Sequence, residues 1–169
     1  LEYDAAEHRF RETLLRDEKF KHFWFTVGQF KVPYSLWFLE SSRYFNFLEQ
    51  SLPTNAFNPG YRLGVMAQFF CDPFTLSVSE IGPDSNNNIL GNQLSGHVPL
   101  ATNVRLTFAP IHMEKYVLHF AAADIQQQTD STNRFRFRTS PEVRTEQDYS
   151  LVDTNFIQNC RNFNGQEYE

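Results

Sequence analysis

The sequence predicts an all-β chain, and an antiparallel transmembrane barrel is the architecture that reconciles three observations. Apolar and aromatic residues recur with a period of two, short turns alternate with long polar connections, and no apolar run approaches the ~18–20 residues of a spanning helix. Barrel strands need only ~9–11 residues each and alternate in polarity, so a mean hydropathy of −0.48 is no obstacle to this reading. The 169 residues are 41% hydrophobic and 16% aromatic, enough for one folded unit and too apolar for a disordered acidic segment. A net charge of −5 with pI ≈ 5.5 argues against a general nucleic-acid binder, which needs a positive field against phosphate.

The elements follow in order. Residues 8–16 alternate imperfectly, and on propensity residues 12–18 fit a short helix equally well, so both assignments stand. Phe23-Trp24-Phe25-Thr26-Val27 is aromatic and β-branched and is predicted to be a strand ending at Gly28. Residues 34–59 lose the alternation and carry Pro53 and Pro59, yet hold Trp37, Phe38, Tyr44, Phe45, Phe47 and Phe57. A loop this aromatic must pack against something. Strand signals return over residues 61–70 and 74–80 around Cys71-Asp72-Pro73, a turn of hairpin length. A polar loop, residues 82–96, leads to a second hairpin with strands at 104–108 and 116–123. Short turns at one end and long loops at the other are the layout of outer-membrane barrels. No repeat, low-complexity tract or linker divides the chain, which is read as one unit over residues 1–169.

Asn133-Arg134-Phe135-Arg136-Phe137-Arg138-Thr139 carries the most chemistry. In an extended chain Arg134, Arg136 and Arg138 share one face and Phe135 and Phe137 the other. A column of guanidiniums offers successive stations to an anion, each bidentate and charged at every working pH. The plainer alternative is a surface strand whose arginines pair with Glu142, Glu146 or Asp148. Elsewhere the signals are weak. Five histidines never reach metal-binding spacing, Ser41-Ser42 has no nucleophile-elbow context, and Cys71 and Cys160 fit neither a zinc site nor a disulfide framework. No catalytic motif and no cofactor signature is found, so an enzyme is not expected. Leu1 is not an initiating residue, and the N-terminus is read as processed or truncated.

Gly28-Gln29-Phe30-Lys31-Val32-Pro33-Tyr34-Ser35, Ser41-Ser42-Arg43-Tyr44, Glu49-Gln50-Ser51-Leu52-Pro53 and Ala56-Phe57-Asn58-Pro59-Gly60-Tyr61-Arg62-Leu63-Gly64 resemble, in order and spacing, the phosphate-selective porin O and P family. Arg105-Leu106-Thr107-Phe108-Ala109-Pro110-Ile111-His112, Val117-Leu118-His119-Phe120, the Arg134 to Arg138 column and Leu151-Val152-Asp153-Thr154 extend the likeness over most of the chain. The resemblance implies a trimeric, sixteen-stranded outer-membrane barrel in lipid, of which this chain is a part. It implies an inward-folded constriction loop over residues 34–60 and an arginine ladder that draws phosphate or other small anions. By that likeness Arg134, Arg136 and Arg138 are rungs, and Ser41, Ser42 and Arg43, with Lys31 as a further local cation, bind the anion at the constriction. One departure stands out. Leu48-Glu49-Gln50 places a neutral amide where the family commonly has an arginine, which implies broader anion selectivity. The alternatives are a soluble β-sheet protein that binds a carbohydrate-type ligand on Trp24, Trp37, Tyr44 and Tyr61, or a non-conducting porin remnant.

Overall fold

The computed structural model describes residues 2–4, 9–41, 56–82, 99–113, 115–129, 134–139 and 152–169. An antiparallel meander dominates it: β1 (Glu2–Asp4), β2 (Arg9–Phe20), β3 (Phe23–Lys31), β4 (Tyr61–Cys71), β5 (Phe74–Ile81), β6 (Ala101–His112) and β7 (Val117–Gln128) pair in chain order. A one-turn helix, α1 (Leu36–Leu39), follows β3. After β7 come four two-residue strands, β8 (Arg134–Phe135), β9 (Arg138–Thr139), β10 (Val152–Asp153) and β11 (Ile157–Gln158), which pair β8 with β11 and β9 with β10. β12 (Asn162–Tyr168) then returns to pair with β7 and completes an eight-stranded sheet. The sheet is all-β and antiparallel but not closed, since β1 and β12 are its outer strands.

Two expectations are settled by pairing. Residues 12–18, which fitted strand or helix, lie in β2, because β3 offers their backbone partners from Thr13↔Gln29 to Phe20↔Phe23. Gly28 does not end its strand, as the sequence predicted; β3 runs on to Lys31. The reason is steric. Gly28 has φ 127°, and a Cβ there would strike the Thr13 carbonyl and come within 2.8 Å of the Leu14 Cα. Gly64 faces it in register and is equally crowded, with the Ile81 Cα 2.9 Å from a would-be Cβ. The two glycines therefore admit a backbone approach that no side chain would allow, and the pairing runs on through both. The second hairpin is also tighter than predicted, because β6 and β7 stay paired past a bulge between Phe108 and Ile111 as far as His112↔Val117.

Connections at one end are short, residues 21–22, 72–73 and 113–116; those at the other, apart from residues 5–8 between β1 and β2, are long, residues 32–60, 82–100 and 129–161. The two faces differ just as sharply. Alternate residues on one face are buried and mixed in polarity: Thr26, Met66, Ser77, Ser79, Asn103, Arg105 and Ile125. On the other face Phe25, Val27, Val65, Phe69, Leu76, Val78, Val104, Leu106 and Phe120 are between 38% and 50% exposed. This is the reverse of a water-soluble sheet, in which the apolar face is covered. Phe74 and Phe108 stack at 4.7 Å, with Phe120 6.4 Å beyond, as a rim of rings toward the short turns. The opposite border runs obliquely. Val65 is apolar while Glu80 and Thr102 in its row are polar; one row lower Ala67, Val78 and Val104 are apolar and Asp124 is not. A band cut obliquely across the hydrogen-bonded rows is what strands tilted in a membrane produce. From Leu63 to Cys71 it extends roughly 26 Å along β4, near the ~25 Å apolar height of such walls.

Candidate functional site

Leaving β3, the chain crosses the polar face of the sheet. The base of this excursion is tied by Val32 N–H donating to the Gly60 carbonyl at 3.1 Å, next to the last β3–β4 pair, Lys31↔Tyr61. Pro33, Tyr34 and Ser35 are buried, and their anchors lie on distant strands. Asn103 of β6 donates its Nδ2 to the Pro33 carbonyl at 3.1 Å. Arg105, two residues along the same strand and 3% exposed, donates Nη1 to the Tyr34 carbonyl at 2.5 Å and Nη2 to Glu169 Oε2 at 2.6 Å. The other oxygen of Glu169 accepts the Leu36 N–H at 2.6 Å, so one carboxylate holds both the wall arginine and the start of α1. Gly165 on β12 makes the seat: a Cβ there would sit 3.0 Å from the Tyr34 hydroxyl and 3.1 Å from the Ile125 Cγ2. Burial pushes the Tyr34 phenol up to about 12, and the negative charges of Glu167 and Asp124 add to the rise.

The cations and hydroxyls expected to bind an anion are only partly brought together. Lys31 donates its Nζ to the Phe38 carbonyl at 3.1 Å and lies over the Phe38 ring at 5.4 Å, which ties it to the end of α1. Ser41 is exposed just beyond α1, while Ser42, Arg43, Tyr44 and Gln50 lie outside the described residues. In the arginine segment the extended run is interrupted, with β8 and β9 separated by residues 136–137. Phe135 and Phe137 nevertheless turn the same way. They meet Phe163 at 5.0 and 5.1 Å, and Phe57 closes the cluster on Phe137 at 4.8 Å. Arg136 makes a two-pronged pair with Asp153, Nε to Oδ1 at 2.8 Å and Nη2 to Oδ2, and its guanidinium lies 5.3 Å over Phe156. The bond to Asp153 raises the Arg136 pKa above its already high ordinary value. Arg134 and Arg138 stand in register with Gln158 and Asp153. Glu142, Glu146 and Asp148, the alternative partners, lie outside the described residues.

Beside this cluster a cleft of about 310 Å³ opens between Tyr34, Phe57, Asn58, Phe163 and Glu167. It joins the inward excursion, β12 and the ring cluster into one region of the polar face. Sequence reasoning missed Arg105 as a functional residue. Its signal is the alternation Val104-Arg105-Leu106-Thr107, which sends Arg105 to the face opposite two exposed apolar neighbours. Among the described residues no cluster of three or more metal-ligating side chains occurs, and both cysteines are free. No helix among the described residues is long and apolar enough to cross a membrane.

A family model described as "Phosphate-selective porin O and P" matches residues 2–168, nearly the whole chain. No curated protein and no solved structure matches.

Proposed function

Because the chain belongs to the phosphate-selective porin O and P family, whose members are outer-membrane channels and not enzymes, we propose that it lines a passive pathway for phosphate and related small anions. The observation that carries this reading is the inverted sheet, apolar outside and polar within, with residues 32–41 laid across the polar side. That segment, continuing through residue 60, is the constriction of the pathway. The exposed apolar face tells against the soluble carbohydrate-binding alternative, because no water-soluble sheet leaves so continuous an apolar surface open. The open edges of the sheet have the same implication. In lipid each unpaired backbone group costs several kcal/mol, so β1 and β12 pair with further strands in a larger closed barrel, and three such barrels form the trimer.

Anions are drawn by the field of the arginine segment and pass by exchange between shallow sites, needing no energy source. Arg134, Arg136 and Arg138 are the rungs, and Ser41, Ser42 and Arg43 receive the anion at the narrowing, with Lys31 holding the end of α1 beside Ser41. Arg136 already shares its charge with Asp153, which moderates its pull. The test is ion selectivity in planar bilayers. Arg136→Glu is expected to lower anion over cation preference, and Asp153→Asn, which releases the guanidinium, to raise it. A preference indifferent to both substitutions would remove the arginine segment from the pathway.

A further inference from the structure

The inward segment leaves the sheet at β3 but is bolted to β6 and β12, and the bolt is ionic. Arg105 lies 71 residues from Tyr34 and 64 from Glu169 in sequence, and Glu169 lies 133 from Leu36, yet three bonds of 2.5–2.6 Å join the four residues in a chain. A guanidinium 3% exposed is costly unless its donors are met by fixed acceptors. Here they are a backbone carbonyl of the inward segment and the carboxylate that also receives that segment's Leu36 N–H. Glu167 of β12, whose carboxyl neighbours Ser35, Glu169 and Arg105, stands beside this chain of bonds as a second wall carboxylate. Asn103 adds a neutral bond one residue earlier, and Gly165 only makes room.

We propose that Arg105 and Glu169 are positioning residues that hold residues 34–36 against the wall and thereby set the width of the passage. Arg105 is thus excluded from service as an anion station, although it stands on the polar face of a wall strand. The pair acts by geometry: with the guanidinium buried and its carboxylate largely covered, bulk salt and passing anions compete little for it. The claim about width rests on the channel reading above, whereas the claim about attachment does not.

Two readouts keep these apart. In planar bilayers, with the complete closed barrel to which this sheet belongs, Arg105→Met is expected to raise single-channel conductance about twofold or more and to admit larger neutral polymers, because an untethered segment no longer narrows the passage. In detergent, alkaline titration of tyrosine absorbance follows Tyr34 directly. The late-titrating phenol is expected to fall back toward ordinary tyrosine behaviour in Arg105→Met, since its burial depends on the tether. Should that variant fail to fold, Glu169→Gln serves in its place. The amide oxygen still accepts the Leu36 N–H, but Arg105 loses its hydrogen-bonded counter-charge and keeps only the neighbouring Glu167, so the same changes are expected in smaller measure. Conductance and polymer cut-off equal to those of the parent in folded Arg105→Met overturn the proposal, as does a Tyr34 that still titrates late. A complete parent barrel that does not conduct, together with a Tyr34 that shifts in the variant, sinks the channel reading and the width claim while the attachment stands.

Discussion

The molecule holds two arginine–carboxylate pairs of similar chemistry in unlike surroundings. Arg105–Glu169 is buried on the polar face of the sheet, with side chains 3% and 15% exposed, and every partner belongs to a different element. Arg136–Asp153 lies on a small hairpin outside the main sheet, 31% and 28% exposed, against a single phenylalanine ring. The same two functional groups therefore do different work. Enclosed, the pair specifies where a distant segment sits; open to water, it tunes a field that solvent and salt also reach. Burial decides between the roles, and residue type does not.

The largest expected effect breaks the buried pair from one side. Arg105→Met leaves Glu169 charged and enclosed, a loss on the order of 3–5 kcal/mol for such pairs, whereas Arg105→Met with Glu169→Met together should recover much of it. Denaturant unfolding in detergent, run as a double-mutant cycle, reads the difference. The matching cycle on Arg136 and Asp153 should show little coupling. Strong coupling there would erase the distinction between the pairs.

Next comes the seat beneath the segment. Gly165→Ala places a methyl group 3.0 Å from both the Tyr34 hydroxyl and the Phe163 Cε1. The expected cost is about 1–3 kcal/mol of overpacking, with a displaced Tyr34. The same substitution at Gly60, where nothing lies within 4 Å of a would-be Cβ, meets no neighbour, and its cost is confined to the backbone strain of φ 74°. Fluorescence-monitored unfolding of the two variants separates packing from backbone strain.

The smallest effect is alkaline. The Tyr34 pKa is raised from 10.0 to about 12, so below pH 10 the phenol is neutral whether folded or unfolded and its full contribution to stability is present. Between pH 10 and 12 the unfolded chain ionises first, and that contribution is lost as the pH climbs through the folded value. Absorbance titration should show a late-titrating component that disappears in Tyr34→Phe. If all tyrosines titrate together in the folded protein, Tyr34 is not enclosed.

Much of the wall was legible in the sequence because strand polarity is local. Val104-Arg105-Leu106-Thr107-Phe108 and the turn at Asp72-Pro73 declare their geometry within a few residues, and the paired strands follow. Residues 12–18 were ambiguous because their strand character comes from β3, a partner that propensity does not see. Gly28 was misread for a related reason: a glycine that ends a strand and one that the strand runs through look alike until the neighbouring backbone is in place. The site was less legible still. Arg105, Glu169, Leu36 and Tyr34 are brought together from three parts of the chain, and no spacing rule connects them. The arginine segment shows the converse. Its alternation was plain, but the carboxylate that takes Arg136 comes from 17 residues further on, across the hairpin.

The facing glycines of β3 and β4 carry a consequence for the shape of the sheet. With no side chain on the polar face at Gly28 or Gly64, the neighbouring strands are free to lean toward that face. Such a lean would put the hollow on the polar side and the crown on the apolar one, the arrangement in which one flank meets water and the other hydrocarbon.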